Sequence, residues 1–279
     1  MAFSVNTNGG ALTALNQLGA TRQTNLNTQS RINTGRDVNG PDDNAALFGI
    51  AQNLRAENSG RTAVANSLNR AQSVTDVALS AGSQVSDLLL RARELSVQAS
   101  DPGLDDQSRA AINQEFTTVR DQINQVVESA SFNGTNALAS GGDDIQALTS
   151  PDGTTQTSTP NQDLSLGGPN VTLQTNADIS TLAGAQQAFA EIETSAQNVN
   201  ASLSALGSGS ASLQGLADFN QLASDTTEVG IGNLVDANLA EAAADQAAGQ
   251  VREQLGLISL NIANSQPQAI LSLFEEQTT

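Results

Sequence analysis

The 279-residue sequence contains no cysteine, histidine, tryptophan or tyrosine, and all 11 of its basic residues are arginine. Without Cys there is no disulfide framework and no thiol or thiolate–metal chemistry. Without His, Cys, Lys and Tyr the usual general bases, activated nucleophiles and imidazole ligands are missing. Ser and Thr hydroxyls with no His or Lys to activate them are poor nucleophiles. The inventory points away from an enzyme and calls for no cofactor. The paired acids Asp42/Asp43, Asp105/Asp106 and Asp143/Asp144 lack the spacing, the Gly and the distal Glu of a calcium loop. They read as helix caps or solvated loops, and no metal site is expected.

The net charge of −18 is unevenly placed. Residues 1–120 carry ten Arg against eleven acids, whereas 121–279 carry Arg252 alone against eighteen. Phosphate backbones and anionic membrane surfaces both need clustered cations, so neither nucleic acid nor membrane is expected as a partner. The segment 1–35 holds Arg22 and Arg31 with no acid, and 234–279 holds six acids with one Arg. Two terminal helices of opposite sign would lie together. No apolar run is long enough to span a bilayer. The opening ten residues lack the basic and apolar regions of a secretory leader, so any export is expected to proceed without a cleaved signal peptide.

The most organised stretch runs from Val64 to Ala99. Val64, Ser67, Ala71, Val74, Ala78, Ala81, Val85, Leu88, Ala92, Leu95 and Ala99 recur at alternating spacings of three and four. This 3.5-residue period marks helices packed side by side over a long distance. At 1.5 Å per residue the segment predicts a rod of about 54 Å. Ile112, Phe116, Val119, Ile123, Val126 and Ala130 repeat the spacing. So do Leu182, Ala185, Phe189, Ile192, Ala196, Val199, Leu203 and Leu206. The expected fold class is mainly α: an elongated antiparallel helical bundle or coiled coil with paired terminal helices and a small β-hairpin region.

In chain order, a weakly anchored helix is expected from Ala11 to about Thr34 and a break at Gly35–Pro41. Asp42 and Asp43 stand at the start of the next helix. Asp105 and Asp106 follow the Asp101-Pro102-Gly103 turn, and Phe132-Asn133-Gly134 makes a tight reversal. Residues 136–178 are rich in Gly, Ser, Thr, Asp and Pro. There Ser150-Pro151-Asp152-Gly153 reads as a turn, and Leu164–Leu166 and Val171–Leu173 alternate as short strands do. Glu228–Asn233 is expected to interrupt the third seam. A last amphipathic helix, from about Asp236 to Phe274, carries Val251, Leu255, Ile258, Ile262 and Ala269 on one stripe, with Pro267 bending it. The domain reading is 1–42 plus 235–279 as a terminal-helix domain and 43–234 as a rod-like core domain.

Five segments then resemble one family. Ser4-Val5-Asn6-Thr7-Asn8, Ile32-Asn33-Thr34-Gly35 with Asp42-Asp43-Asn44-Ala45-Ala46, Leu90–Gln98, Phe132-Asn133-Gly134 and Ala263–Phe274 are similar, in order, to bacterial flagellin. The resemblance covers about 1–140 and 181–274. It implies an extracellular filament subunit that polymerises with copies of itself and gives motility. It also implies export through the flagellar type III apparatus, an export chaperone, and filament cap and hook-junction proteins as partners. The middle segment is short, so the large outer variable domains of longer family members are absent. Glu275–Thr279 extends past the usual family terminus.

The resemblance places Leu12, Leu15, Val251, Leu255, Ile258 and Ile262 in terminal-helix assembly. Arg91, Leu95 and Glu115 match positions through which Toll-like receptor 5 binds some flagellins; packing between neighbouring subunits is the primary use expected of that surface. Thr154, Thr155, Thr157, Ser158 and Thr159 form the most exposed candidate for O-glycosylation, with a plain flexible loop as the favoured reading of the run. Two other readings stay open at this point: a hook–filament junction protein, or a surface polysaccharide-binding homologue. The scarcity of aromatics, seven Phe in all, argues against the last.

Overall fold

The computed structural model describes residues 7–275, with side chains described as far as Pro267. Expectations that fall on Ser4-Val5-Asn6, on the Ala269 stripe position and on the tail to Thr279 lie outside the described residues. The elements are α1 (Gly9–Thr34), α2 (Pro41–Ala99), α3 (Asp106–Ser129), β1 (Ile145–Leu148), β2 (Gln156–Thr159), α4 (Leu182–Val235) and α5 (Leu239–Glu275). The architecture is mainly α with paired terminal helices and one two-stranded antiparallel hairpin. None of the described helices is long and apolar enough to cross a membrane. Contacts divide the chain into two units, Met1–Arg55 with Thr227–Thr279, and Ala56–Thr226.

The core of the second unit is built on the predicted seam. Val64, Ala71, Val74, Ala78, Val85, Ala92, Leu95 and Ala99 are buried, and Leu68 and Leu89 widen the stripe. On α3, Phe116, Val119, Ile123 and the following Ala130 are buried as expected, with Val127 taking the central place beside half-buried Val126. The seam of α4 is displaced from its predicted register. Ala185, Ile192, Val199 and Leu206 are central, but Ala188, Ser195 and Ser202 fill the alternate positions. Phe189 lies to the side because the Arg93 guanidinium stacks 5.4 Å from its ring centre. Ser195 enters the core because its hydroxyl is satisfied, accepting the Thr172 N–H at 2.9 Å and donating to the Glu191 carbonyl at 2.7 Å.

Three local expectations are corrected. Asn44, with extended backbone (φ −159°), caps α2 in place of Asp42 and Asp43; its Oδ1 accepts the Ala46 and Leu47 N–H groups at 3.1 Å. Asp43 instead turns back onto the N–H groups of Asn39 and Gly40. The Glu228–Asn233 segment does not break α4, which runs unbroken to Val235. Ile231 and Leu234 pack there against buried Val38, Ala51 and Val235, and that packing outweighs the roughly 1 kcal/mol helix penalty of each glycine. The strands are not at Leu164–Leu166 and Val171–Leu173, where only a single bridge joins Leu166 to Val171. They pair Ile145 with Thr159 through Leu148 with Gln156.

The turns form where they were read. Asn133 (φ 51°) and Gly134 (φ 85°) both take positive φ in a two-residue turn closed by reciprocal Phe132–Thr135 hydrogen bonds. Ser150–Gly153 closes with the Gly153 N–H on the Ser150 carbonyl at 3.1 Å. Asp105 caps α3 by accepting the Ser108 N–H at 2.9 Å.

Candidate assembly surface

Within the first unit α1 and α5 pair with each other, antiparallel. Near one end the Asn8 Nδ2 donates to the Ala263 carbonyl at 2.7 Å; midway Arg22 Nε meets Glu253 at 2.8 Å. At the other end Asp37 and Val38 donate backbone hydrogen bonds to the Val235 carbonyl, and Ala237 donates to that of Gly35. The expected pairing of a cationic with an acidic helix is thus seen at Arg22–Glu253.

The faces that meet are mostly small and polar, with Leu18, Ile32 and Leu260 as the larger apolar members. On α1 the less exposed positions are Ala11, Ala14, Leu18, Thr21, Asn25, Thr28 and Ile32; on α5 they are Ala242, Gln246, Gly249, Glu253, Gly256, Leu260, Ala263 and Pro267. Both sets repeat every 3.5 residues, the period of a coiled-coil seam. Gly256 makes room for Leu18, and Gly249 for Asn25. The Gln246 Oε1 is buried without a hydrogen-bond partner.

Most of the large apolar residues of these helices face elsewhere. Leu12 and Leu15 on α1 are 56% and 53% exposed; Val251, Leu255, Ile258 and Ile262 on α5 are 55–60% exposed. The α5 stripe therefore does not pack on α1, as an amphipathic reading would place it. It is offset by two residues from the paired seam, which at 100° per residue puts it on nearly the opposite side of the helix. Covering these four side chains is worth on the order of 1 kcal/mol each.

In the second unit Arg91 bridges α2 to α3. Its Nη2 lies 2.5 Å from Glu115 Oε1 and its Nη1 2.6 Å from Glu94 Oε2. Glu115 first, then Glu94, raises the guanidinium pKa above its ordinary value. Leu95 does not share this surface: it is 1% exposed and belongs to the core. The motif match grouped it with Arg91, but Leu95 is a member of the Val64–Ala99 seam and faces the core with Ala92 and Ala99.

The Thr/Ser run is less free than a loop. Thr154, Thr155 and Ser158 are exposed, whereas Thr157 and Thr159 in β2 are half-buried. The Asp152 carboxylate accepts the Thr154 N–H (3.0 Å) and hydroxyl (2.8 Å). With the Ser150 hydroxyl as the largest cause, these bonds hold its pKa at about 2. Among the described residues no group of three or more acids is arranged to hold a metal ion.

One residue that sequence reasoning missed is Arg109. It is 6% exposed and donates to the carbonyls of Ala99, Asp101 and Leu104, closing the end of α2 over the turn. Its signal was present as an arginine set one turn past the Asp105 cap.

Comparison with known proteins follows the same outline. The model for the bacterial flagellin N-terminal helical region matches residues 5–142. Flagellin FljO of Caulobacter vibrioides is 38% identical over 271 residues, covering 97% of this chain and 98% of that protein. A flagellin of Brucella melitensis is 30% identical over 286 residues, covering 97% and 99%. A solved structure assigned as a flagellar hook-associated protein of Vibrio parahaemolyticus superposes with a TM-score of 0.59 at 16% identity, over 70% of this chain and all of that one. At that identity the likeness is one of fold alone.

Proposed function

The chain belongs to the bacterial flagellin family and is a structural subunit of the flagellar filament, and from that premise we propose its mode of assembly. Neighbouring copies complete the α1/α5 pair by covering the second seam of α5. The observation that carries this reading is the two-sidedness of α5: a small, polar seam faces α1, and Val251, Leu255, Ile258 and Ile262 are left on the other side. A helix with seams on both sides needs two partners, and α1 supplies one.

Ordering is coupled to assembly. A pair held mostly by Ala, Gly, Thr and Asn contacts, with Leu18 as its one buried large side chain among the described residues, buries little apolar area, and isolated helices draw most of their stability from packing. Residues 1–42 with 235–279 would then build the filament core, and 43–234 the outer core domain. The role is structural, without catalysis. Export is assisted by a chaperone; hook-junction and cap proteins bound the polymer. The Arg91–Glu115 face packs against a neighbouring copy, and on the free subunit it is the face offered to Toll-like receptor 5. Thr154, Thr155 and Ser158 are the accessible members of the glycosylation candidate.

The test is an Ile258→Asp/Ile262→Asp double variant of the full chain, examined by electron microscopy after seeding with filament fragments. We expect no elongation, with the melting of the 56–226 unit unchanged. Long filaments at wild-type yield would reject this mode of assembly.

A further inference from the structure

Three Asn–Gly dipeptides occur in the chain: Asn8-Gly9, Asn39-Gly40 and Asn133-Gly134. In such a pair the main-chain nitrogen of the glycine can reach the preceding carboxamide carbon most easily, because no β-carbon restricts the approach. The three are held differently. The Asn8 carboxamide is committed at both ends, Oδ1 to the Ala11 N–H (3.0 Å) and Nδ2 to the Ala263 carbonyl (2.7 Å). Asn133 is fixed at positive φ inside a turn closed on both sides by backbone hydrogen bonds of 2.9 and 3.0 Å. Asn39, like Asn133, is exposed with its carboxamide in none of the hydrogen bonds of the described residues and with open space at the following glycine, but its backbone is not held in a closed turn.

One group does approach the reacting atoms at Asn39. Asp43 Oδ2 accepts the N–H of Gly40 at 3.2 Å and that of Asn39 at 2.9 Å. The carboxylate therefore touches the proton that must leave the Gly40 nitrogen for it to become a nucleophile. We propose that Asn39 is a site of self-promoted deamidation, with Asp43 as the general base.

The Asp43 carboxylate takes the Gly40 amide proton as that nitrogen attacks Asn39 Cγ. The new N–Cγ bond forms, the Cγ–Nδ2 bond breaks, and the proton passes to the departing nitrogen, which leaves as ammonia. The product is a five-membered succinimide. Water then opens it at either carbonyl, giving aspartate or isoaspartate at position 39. Either outcome adds a negative charge beside Asp37, Asp42 and Asp43. The isoaspartyl product also lengthens the main chain by one methylene, next to Val38, whose N–H is held by the Val235 carbonyl at 3.2 Å.

The test incubates the purified full-length protein at neutral pH. Peptides covering 39–40 and 133–134 are followed by mass spectrometry with isoaspartyl methyltransferase labelling. Asn39 is expected to convert about tenfold or more faster than Asn133, a modest share of what a positioned base contributes. Asp43→Asn is expected to slow position 39 by a similar factor while leaving 133 unchanged. Equal rates at the two sites, or an unchanged Asn39 rate in Asp43→Asn, overturns the proposal. Because Asp43→Asn alters the entry to α2, Asp43→Glu serves as the second variant: it keeps the carboxylate and recovers most of the rate. If it is as slow as Asp43→Asn, the carboxylate is not the base and the proposal fails.

Discussion

Asn25 of α1 lies across Gly249 of α5 so closely that a β-carbon at 249 would overlap the Asn25 carboxamide. Glycine inside a helix costs about 1 kcal/mol relative to alanine, so its presence here reflects the close approach of the two helices. Gly249→Ala should therefore lose more in overlap than it gains in propensity, a net loss of about 1–3 kcal/mol from the α1/α5 pair. Hydrogen exchange would report faster opening of Gly9–Thr34 amides with those of 56–226 unaffected. Adding Asn25→Gly should restore most of the protection. A Gly249→Ala protein as protected as the parent would show that the contact is slack.

Arg109 is a buried cation whose partners are all backbone carbonyls, those of Ala99, Asp101 and Leu104. Arg109→Ala leaves three acceptors without donors at the end of a long helix and opens a void behind them. We expect a loss of about 2–4 kcal/mol, read as a lower urea midpoint of the 56–226 unit. Arg109→Lys should recover only part, because one ammonium does not reach three divergent carbonyls. Equal stability of the parent and the alanine variant would mean that water replaces the guanidinium without penalty.

The α2 and α3 seams were legible because large or uniformly apolar residues carry a strict 3.5 period, and burial follows them from Val64 to Ala99. The α4 seam was legible only to within one position. Phe189 and Leu203 outshine Ser195 and Ser202 in any hydrophobic count, yet both serines are buried: Ser195 bonds the Thr172 N–H and the Glu191 carbonyl, and Ser202 sits two turns on along the same face. The paired face of α5 was hidden for the same reason: Gln246, Gly249 and Gly256 carry no hydrophobic signal, while the visible stripe at Val251–Ile262 faces away from α1. The β strands escaped because Gln156–Thr159 has no apolar residue to alternate. Leu95 carried two readings, a place on the apolar seam and a motif match shared with Arg91, and burial follows the seam.

Gly60 of α2 supports the tip of the hairpin. A β-carbon there would stand 2.9 Å from Pro151 Cβ and closer still to the Pro151 carbonyl oxygen, so the turn must lift if one is added. Gly60→Ala should leave the helix intact and loosen the loop between β1 and β2. Limited proteolysis is the direct measurement, with cleavage within 149–155 expected to accelerate several-fold while the helices resist. A variant cleaved no faster than the parent would mean that the tip accommodates the methyl group in place.

The same turn carries a pH dependence whose sign follows from Asp152. In the folded chain its carboxyl is held at about 2 by the Ser150 hydroxyl, the Thr154 N–H and the Thr154 hydroxyl, in that order. An unfolded aspartate titrates near 3.9. A depressed folded pKa stabilises the turn fully above the unfolded value, and the stabilisation is lost as pH falls through the interval toward 2. The group is fully exposed, so the effect is local and does not set global stability. The Thr154 amide resonance should hold its position down to about pH 3 and shift as pH approaches 2, with Asp152→Asn abolishing the titration. A midpoint near 3.9 in the folded chain would mean that the three donors do not hold the carboxylate.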